Sequence, residues 1–237
     1  MELKSTEVLR ILRAQNVDAL YHANTVSTCG TFLRDGHLLA RGIVHERGLD
    51  QTDQKSDKID RELGIWYDIF FDAVDIHVQS GRRSYYGPVM MKFDLSLLEQ
   101  DWLPKVWVAK SNPIDWKADT PEEKRWFISI KELETSYSKT NFGHHIVLRN
   151  IGGSIRLNPY LKEIVLDNPH RTMEITQQRY TLDLVSSSIG AMRASARAGK
   201  LLNKGLDTVI RQCLGSCKCA SLYKGMTSTE FKKLFLA

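Results

Sequence analysis

The chain has 237 residues, of which 42% are hydrophobic and 26% charged, and its formal net charge is +5. This length suffices for a full core and favours one domain, or one domain with an appended helical piece. No apolar run approaches the roughly 20 residues that cross a bilayer, and the charged opening MELKSTEVLR lacks an apolar signal core. We therefore expect a cytoplasmic protein with no membrane partner.

The positive charge is concentrated late in the chain. From residue 171 onward there are 11 Lys and Arg residues against 4 Asp and Glu, whereas residues 1–170 carry a small acidic excess. A basic segment beside a nearly neutral body can supply phosphate contacts to a nucleic acid. A solvated helix surface, or a site for an acidic protein, has the same composition, so both interpretations stay open.

The first part of the chain predicts a helix, a strand and a second helix. Residues 5–16 carry a helical stripe of apolar side chains, and residues 19–22 have the pattern of a strand. Residues 27–33 predict a helix that ends at Gly36, where a left-handed cap fits.

The middle of the chain predicts mainly β-structure. Residues 41–63 are highly charged and predict a loop or a short exposed helix; loops of this length are usually functional. An apolar run from Gly64 leads into a predicted helix, and a turn is expected at residues 80–83. Strands are then predicted at residues 89–95, 106–109, 145–148 and 163–166, with a strand or helical turn at 126–133.

The pattern changes after Asn168-Pro169. Residues 174–197 and 200–213 look helical, and glycines separate the segments. The sequence therefore predicts an α+β fold with a β-rich body at residues 1–170 and a basic helical C-terminal segment at residues 171–237.

The cysteines and histidines lack the spacing of a metal site. Cys213, Cys217 and Cys219 would need Cys29 as a fourth ligand. The histidines that could serve as ligands form no i,i+4 pair; they are His37, His77, His144 and His145. The sequence predicts no metal. The cysteine distribution is also unlike a secreted disulfide framework, so we expect reduced thiols.

Three short segments occur in an order that is informative for function. They are Leu20-Tyr21-His22, Gly64-Ile65-Trp66-Tyr67 and Lys162-Glu163-Ile164-Val165-Leu166. Together they resemble the His-Tyr-Glu motifs of the poly(ADP-ribose) polymerase-like branch of ADP-ribosyltransferases, over about residues 19–168. The resemblance implies a split β-sheet body and NAD as the substrate that supplies ADP-ribose.

The resemblance also implies roles for individual residues. Glu163 is the catalytic carboxylate that stabilises the oxocarbenium-like transition state, His22 holds the cofactor, and either Trp66 or Tyr67 faces the nicotinamide ring. Asn24 stands near a position where the family often has glycine and is assigned to the cofactor. A solvated strand-end glutamate, a core histidine and core aromatic residues remain the structural alternatives.

Two further groups of residues are candidates for binding. Arg41 and Arg47 in the charged stretch, close to Gln51, are suited to a bidentate contact with the NAD pyrophosphate, unless this stretch is only a solvated loop. Another group lies where the family has its substrate-reading loop, and an ordinary hairpin loop is the alternative. Its members suit base stacking and base-edge hydrogen bonds: Arg156, Asn158 and Tyr160.

The function that the resemblance implies is mono-ADP-ribosylation of a nucleic-acid base, in DNA or RNA. The charged insertion and the late glutamate resemble the DarT-type toxins, which implies a toxin or defence effector and, as a partner, an antitoxin or inhibitory protein. Three alternatives stay open: a protein acceptor, an NAD glycohydrolase with water as acceptor, and a nucleic-acid-binding protein without catalysis. No phosphate-binding loop, nucleophile elbow or HExxH helix favours another enzyme class.

Overall fold

A computed structural model describes residues 1–80, 86–175, 180–201, 207–215 and 217–236. The predicted turn at 80–83 falls largely outside these ranges. In the described residues the fold is mixed α+β, as the sequence predicts. No helix among them is long and apolar enough to cross a bilayer.

The helices are mostly short. They are α1 (Ser5–Ala14), α2 (Val26–Asp35), α3 (Arg41–Glu46), α4 (Asp57–Glu62), α5 (Ile76–Gln79), α6 (Glu122–Arg125), α7 (Ile130–Ser136), α8 (Leu184–Ala198), α9 (Lys218–Leu222) and α10 (Ser228–Phe235), with 3-10 turns at Leu95–Glu99 and Pro113–Asp115.

The strands connect distant parts of the chain. They are β1 (Leu3–Lys4), β2 (Leu20–Asn24), β3 (His37–Leu39), β4 (Ile69–Phe71), β5 (Val89–Phe93), β6 (Lys105–Val108), β7 (Ile146–Leu148), β8 (Ser154–Arg156), β9 (Leu161–Asn168), β10 (Thr172–Ile175), β11 (Tyr180–Asp183) and β12 (Asp207–Gln212).

Two four-stranded sheets organise the body. One has the strand order β12-β9-β5-β2 and the other β1-β6-β7-β4. An isolated antiparallel bridge, Tyr21 with Asp72, joins β2 to the residue that follows β4. The two sheets therefore meet at this point.

The two faces of the first sheet differ because side chains alternate along a strand. Paired positions share a face, so His22, Met91 and Ile164 lie on one face, where Met91 and Ile164 join the main core. Tyr21 and Glu163 pair with opposite sides of Lys92 and lie on the other face. A one-residue step along β2 thus changes which layer a side chain enters.

Local sequence explains the first two helices. The apolar stripe of α1 buries Val8, Leu9, Ile11 and Leu12. Helix α2 begins after Thr25, whose side chain accepts a hydrogen bond from the Thr28 N–H, and ends at Gly36 with φ of 81°. Both helices were predicted, and the left-handed cap explains why glycine stands at position 36.

One prediction in the middle of the chain is refined and another needs correction. The charged stretch 41–63, predicted as a loop or a short exposed helix, contains two short helices, α3 and α4, with an irregular segment between them. The apolar run after Gly64 predicted a helix, but residues 69–71 form strand β4 and only residues 76–79 are helical. Antiparallel pairing of β4 with β7 buries Ile69 and Phe71 and overrides the helical pattern.

The largest correction concerns the chain after residue 170. Helix was predicted at 174–197 and 200–213, but β10 pairs antiparallel with β11, and in the described parts of these two ranges the helix is confined to residues 184–198. Strand β12 pairs in parallel with β9 and becomes the edge of the first sheet. The late segment is therefore not purely helical, and it adds a strand to the sheet that contains the motifs.

Candidate functional site

A cleft of about 320 Å³ is lined by residues of β2 and β4. Its walls also come from α2, α3, the segment 51–60, residues 65–72, α5 and residues 112–114. Widely separated segments of the chain therefore converge on one cavity. Clefts of this size with a few converging polar groups are the usual ligand sites of proteins.

His22 and Asn24 occupy the cleft at the end of β2. The Nδ1 atom of His22 lies 2.7 Å from the Phe70 carbonyl oxygen. A carbonyl can only accept, so Nδ1 carries the proton and Nε2 has a free lone pair. Burial lowers the pKa of His22, which keeps the ring neutral at physiological pH. His22 can therefore accept a hydrogen bond from a hydroxyl of a ligand.

Arg41 stabilises the wall that the charged stretch builds. Its Nε atom lies 2.5 Å from Oδ1 of Asp57, and its Nη2 atom lies 2.7 Å from Oδ2 of Asp57 and 3.1 Å from the Thr52 carbonyl oxygen. Gln51 donates to the Arg41 carbonyl at 3.2 Å. The two contacts with Asp57 form a forked pair that orients the Arg41 guanidinium in the cleft lining. Arg47 is elsewhere: it pairs with Asp35 at 3.1 Å on the surface.

The structure distinguishes the two neighbouring aromatic residues. Trp66 lines the cleft and is 7% exposed, with the Arg61 guanidinium 4.4 Å above its ring. Tyr67 is 46% exposed, is not part of the cleft lining, and donates its hydroxyl to Glu46. Adjacent residues point in different directions, so one of the pair faces the cleft.

Three acidic residues of the lining did not emerge from the sequence: Asp60, Asp68 and Asp72. Burial raises the pKa of Asp60 to about 6. Burial also raises the pKa of Asp68 to about 7, opposed by Arg149, whose Nε lies 2.8 Å away. Oδ1 of Asp72 lies 3.1 Å from Nδ1 of His145. Asp68 and Asp72 stand immediately before and after the apolar strand β4. An acidic residue at each end of a short apolar run is the sequence pattern that could have identified them.

Glu163 is not part of the cleft lining. Its side chain shares the face of Tyr21, and it contributes, after burial and two aspartates, to the raised pKa of Tyr21. Ala23 lines the cleft and lies on the same face of the sheet as Glu163. It is two strands and two residues away from Glu163, which corresponds to about 12 Å when ideal strand spacings are used. The buried side chains of Tyr21, Met90 and Val165 fill that face. The structure thus does not bring Glu163 and His22 together in one site.

The predicted acceptor contacts also lie outside the cleft lining. Arg156 is exposed on β8, opposite His37. Asn158 follows β8 and precedes a cis proline. Tyr160 is 8% exposed, and its hydroxyl oxygen lies 3.4 Å from the Trp102 indole nitrogen.

The cysteines differ from expectation. Cys217 and Cys219 are joined by a disulfide, so the prediction of reduced thiols is wrong for this pair. Cys29 and Cys213 are free and buried, and burial raises the pKa of each to about 12. Within the described ranges no group of three or more potential ligands is arranged to hold a metal ion.

Comparison with known proteins does not add to this geometry. No protein-family model matches the chain. No curated protein matches it either.

Proposed function

We propose that the cleft between β2 and β4 binds NAD and that the protein transfers ADP-ribose from it to a nucleic-acid base. One observation carries the proposal: four residues that were assigned to the cofactor from the sequence line the same cleft. They are His22, Asn24, Arg41 and Trp66. They come from three separate segments of the sequence, so their convergence does not follow from proximity along the chain.

The chemistry of these groups suits the parts of NAD. The Trp66 ring offers a surface for the nicotinamide, and the neutral His22 ring offers an acceptor to a ribose hydroxyl. The charge of Arg41 is offset by its pair with Asp57, and the guanidinium N–H groups that this pair does not use are donors suited to the pyrophosphate. Holding the ribose and its leaving group in one geometry is the main requirement of this reaction.

Glu163 and Asp72 are the two candidates for stabilising the transition state, because burial raises the pKa of the other lining acids, Asp60 and Asp68, and disfavours their charged forms. The resemblance gives this role to Glu163, and contact with the cleft favours Asp72, which lines the cavity beside His145. A carboxylate acts on the developing ribose cation only at close range, since its Coulomb energy falls with distance and with solvent between the charges. The proposal therefore includes Asp72 as the nearer candidate, and a pair of variants separates the two.

The excess positive charge after residue 170 supports a nucleic-acid acceptor over a protein. Arg193 and Arg197 are exposed one helical turn apart on α8, and exposed Lys200 follows. Arg211 is not available for this role, because it pairs with Asp75 and Asp167. Lys204, another basic residue of this segment, lies outside the described residues.

The test of the overall proposal uses NAD labelled in its adenylate half. The protein is incubated with single-stranded DNA, RNA and unrelated protein, and the three are then separated. We expect label on nucleic acid. Free ADP-ribose alone would indicate a glycohydrolase, label on protein would change the acceptor, and absence of NAD cleavage would contradict the proposal.

The acceptor surface has its own test. Neutralising Arg193, Arg197 and Lys200 should weaken nucleic-acid binding and flatten its salt dependence, by roughly one unit of slope for each phosphate that is no longer neutralised. NAD affinity should not change. The control neutralises Arg10 and Arg13 on α1, which pair with Glu134 and Glu99. An unchanged salt slope in the first variant would remove the argument for nucleic acid.

A further inference from the structure

His77 is a buried polar side chain that the functions proposed so far do not use. It lies in α5, is 1% exposed, and contributes to the cleft lining. Asp75 precedes α5, and its side chain accepts the His77 N–H at 3.0 Å. The start of the short helix therefore fixes the histidine backbone at the cleft.

A second aspartate fixes the imidazole. Nδ1 of His77 lies 2.9 Å from Oδ2 of Asp167, an ion-pair distance without the alignment of an ideal hydrogen bond. Asp167 is fully buried at the end of β9. The Tyr223 hydroxyl donates to it at 2.6 Å, and Arg211 Nη1 lies 3.2 Å from its other oxygen. A residue from the first half of the chain, His77, and two from its last part, Arg211 and Tyr223, thus hold this carboxylate in place.

The arrangement determines which nitrogen of His77 accepts hydrogen bonds. A carboxylate only accepts, so the proton of the neutral ring belongs on Nδ1, beside Asp167, and Nε2 keeps its lone pair. Among the described residues Nε2 has no hydrogen-bond partner. Buried acceptors without partners are rare in folded proteins, and each requires an explanation.

We propose that His77 is a ligand anchor of the cleft, with Nε2 accepting a hydrogen bond from an O–H or N–H group of the bound molecule. This inference rests on the proposed function, in which the molecule is NAD. NAD offers three kinds of donor: the ribose hydroxyls, the amide of the nicotinamide and the amino group of the adenine. Asp167 is the positioning residue, since it acts through the orientation and tautomer of His77.

The first experiment measures the Kd of NAD for the wild-type protein and for His77→Phe. Phenylalanine keeps a ring but removes the acceptor. We expect the variant to bind NAD at least tenfold more weakly, because a ligand donor would be left buried without a partner. The control is His37→Phe, which removes another histidine beside an aspartate, 2.9 Å from Asp35 and outside the cleft lining. That variant should bind NAD as the wild type does.

Nitrogen NMR of the wild-type histidines keeps the proposal testable if His77→Phe does not fold. The spectrum should show His77 protonated at Nδ1, and NAD should shift its Nε2 resonance. ADP-ribose lacks nicotinamide but retains the ribose hydroxyls and the adenine amino group. The donor is one of these retained groups if ADP-ribose produces the same shift, and the nicotinamide amide if it does not.

Two results would overturn the inference, and they can be distinguished. Suppose that NAD binds the wild type, but that His77→Phe does not weaken this binding and NAD does not shift the Nε2 resonance of His77. Then the anchor is wrong and the proposed function stands. If NAD does not bind the wild type at all, the proposed function and the anchor fail together.

Discussion

The cleft and the outer face around Glu163 divide the residues of the three motifs between them, and they offer different chemistry. In the cleft, His22 and Trp66 surround a cavity together with buried acids whose pKa values are raised, such as Asp68. Around Glu163, Lys92 contacts the carboxylate of Asp18 at 3.0 Å, and Tyr21 packs on buried apolar side chains. The cleft has the features of a binding site, whereas the outer face has those of a closed layer with a charged border.

The difference shows how strongly one residue of register matters in a sheet. Tyr21 and His22 are neighbours in the sequence, and β2 directs them to opposite faces. Glu163 shares the face of Tyr21 because both pair with Lys92. A motif match specifies the strand, but the register determines which of its side chains enter the same cavity.

The sharpest test of this comparison replaces one carboxylate in each region by the corresponding amide. We expect Asp72→Asn to lower the rate of NAD cleavage by about 10²–10³, the usual consequence of removing one electrostatic interaction with a transition state. Glu163→Gln should retain a rate within about threefold of the wild type, because Glu163 is separated from the cleft and its charge is screened there by distance and solvent. Single-turnover kinetics with labelled NAD measures both. The reverse result would return catalysis to Glu163.

The pH dependence of stability distinguishes the acids of the two regions. Burial raises the pKa of Asp68 to about 7, so between about pH 4 and 7 the folded state holds a proton that the unfolded state has lost. The free energy of unfolding should therefore fall as pH rises through this range, by at most about 1.4 kcal/mol per pH unit for one proton. In urea titrations Asp68→Asn should remove the slope between about pH 6 and 7 and reduce it below pH 6, where Asp60, whose pKa is raised to about 6, still contributes.

Asp18 on the outer face provides the opposite sign. Partial burial acts to raise its pKa, but the hydrogen bond from Lys92 and the Lys92 charge outweigh it, and the pKa is lowered. Asp18 then contributes stability above the pKa of the unfolded chain and loses it in acid. Asp18→Asn should therefore change the profile in the opposite direction to Asp68→Asn. Equal profiles for the two variants would contradict this difference between the regions.

The two arginines assigned to the pyrophosphate make a third comparison. Arg41→Lys should weaken NAD binding about tenfold, since lysine cannot reproduce the forked pair with Asp57 that fixes the cleft wall. Arg47→Lys should change the affinity by less than about twofold, because Arg47 is on the surface beside Asp35. Calorimetric titration with NAD measures both, and similar losses would argue against the cleft as the binding site.

The smallest expected effect concerns the adjacent aromatic residues. Trp66→Leu should weaken NAD binding by about fivefold, the scale of removing one aromatic stacking partner. Tyr67→Leu should leave the affinity unchanged, because Tyr67 is not part of the cleft lining. Nicotinamide competition shows whether the affected interaction is with that ring. Weaker binding in the Tyr67 variant alone would exchange the two assignments.

Local sequence determined several elements of this protein correctly. The apolar stripe of α1, the cap of α2 at Gly36, and strands β2, β5 and β9 follow from periodicity and turn chemistry within about ten residues. Four of the residues assigned to the cofactor also reach one cleft. The helices and strands in this group are local features, so their own segments carry enough information to specify them.

Tertiary structure decided the rest. Strand β4 looked helical and β12 lay in a stretch predicted to be helical, but each found a partner strand far away in the sequence. Pairing register and packing between sheets also determine which way Trp66 and Glu163 point. They likewise bring His77 into contact with Asp167 on a distant strand. Such contacts are set by the burial of the whole chain, and no single segment encodes the position of its partner.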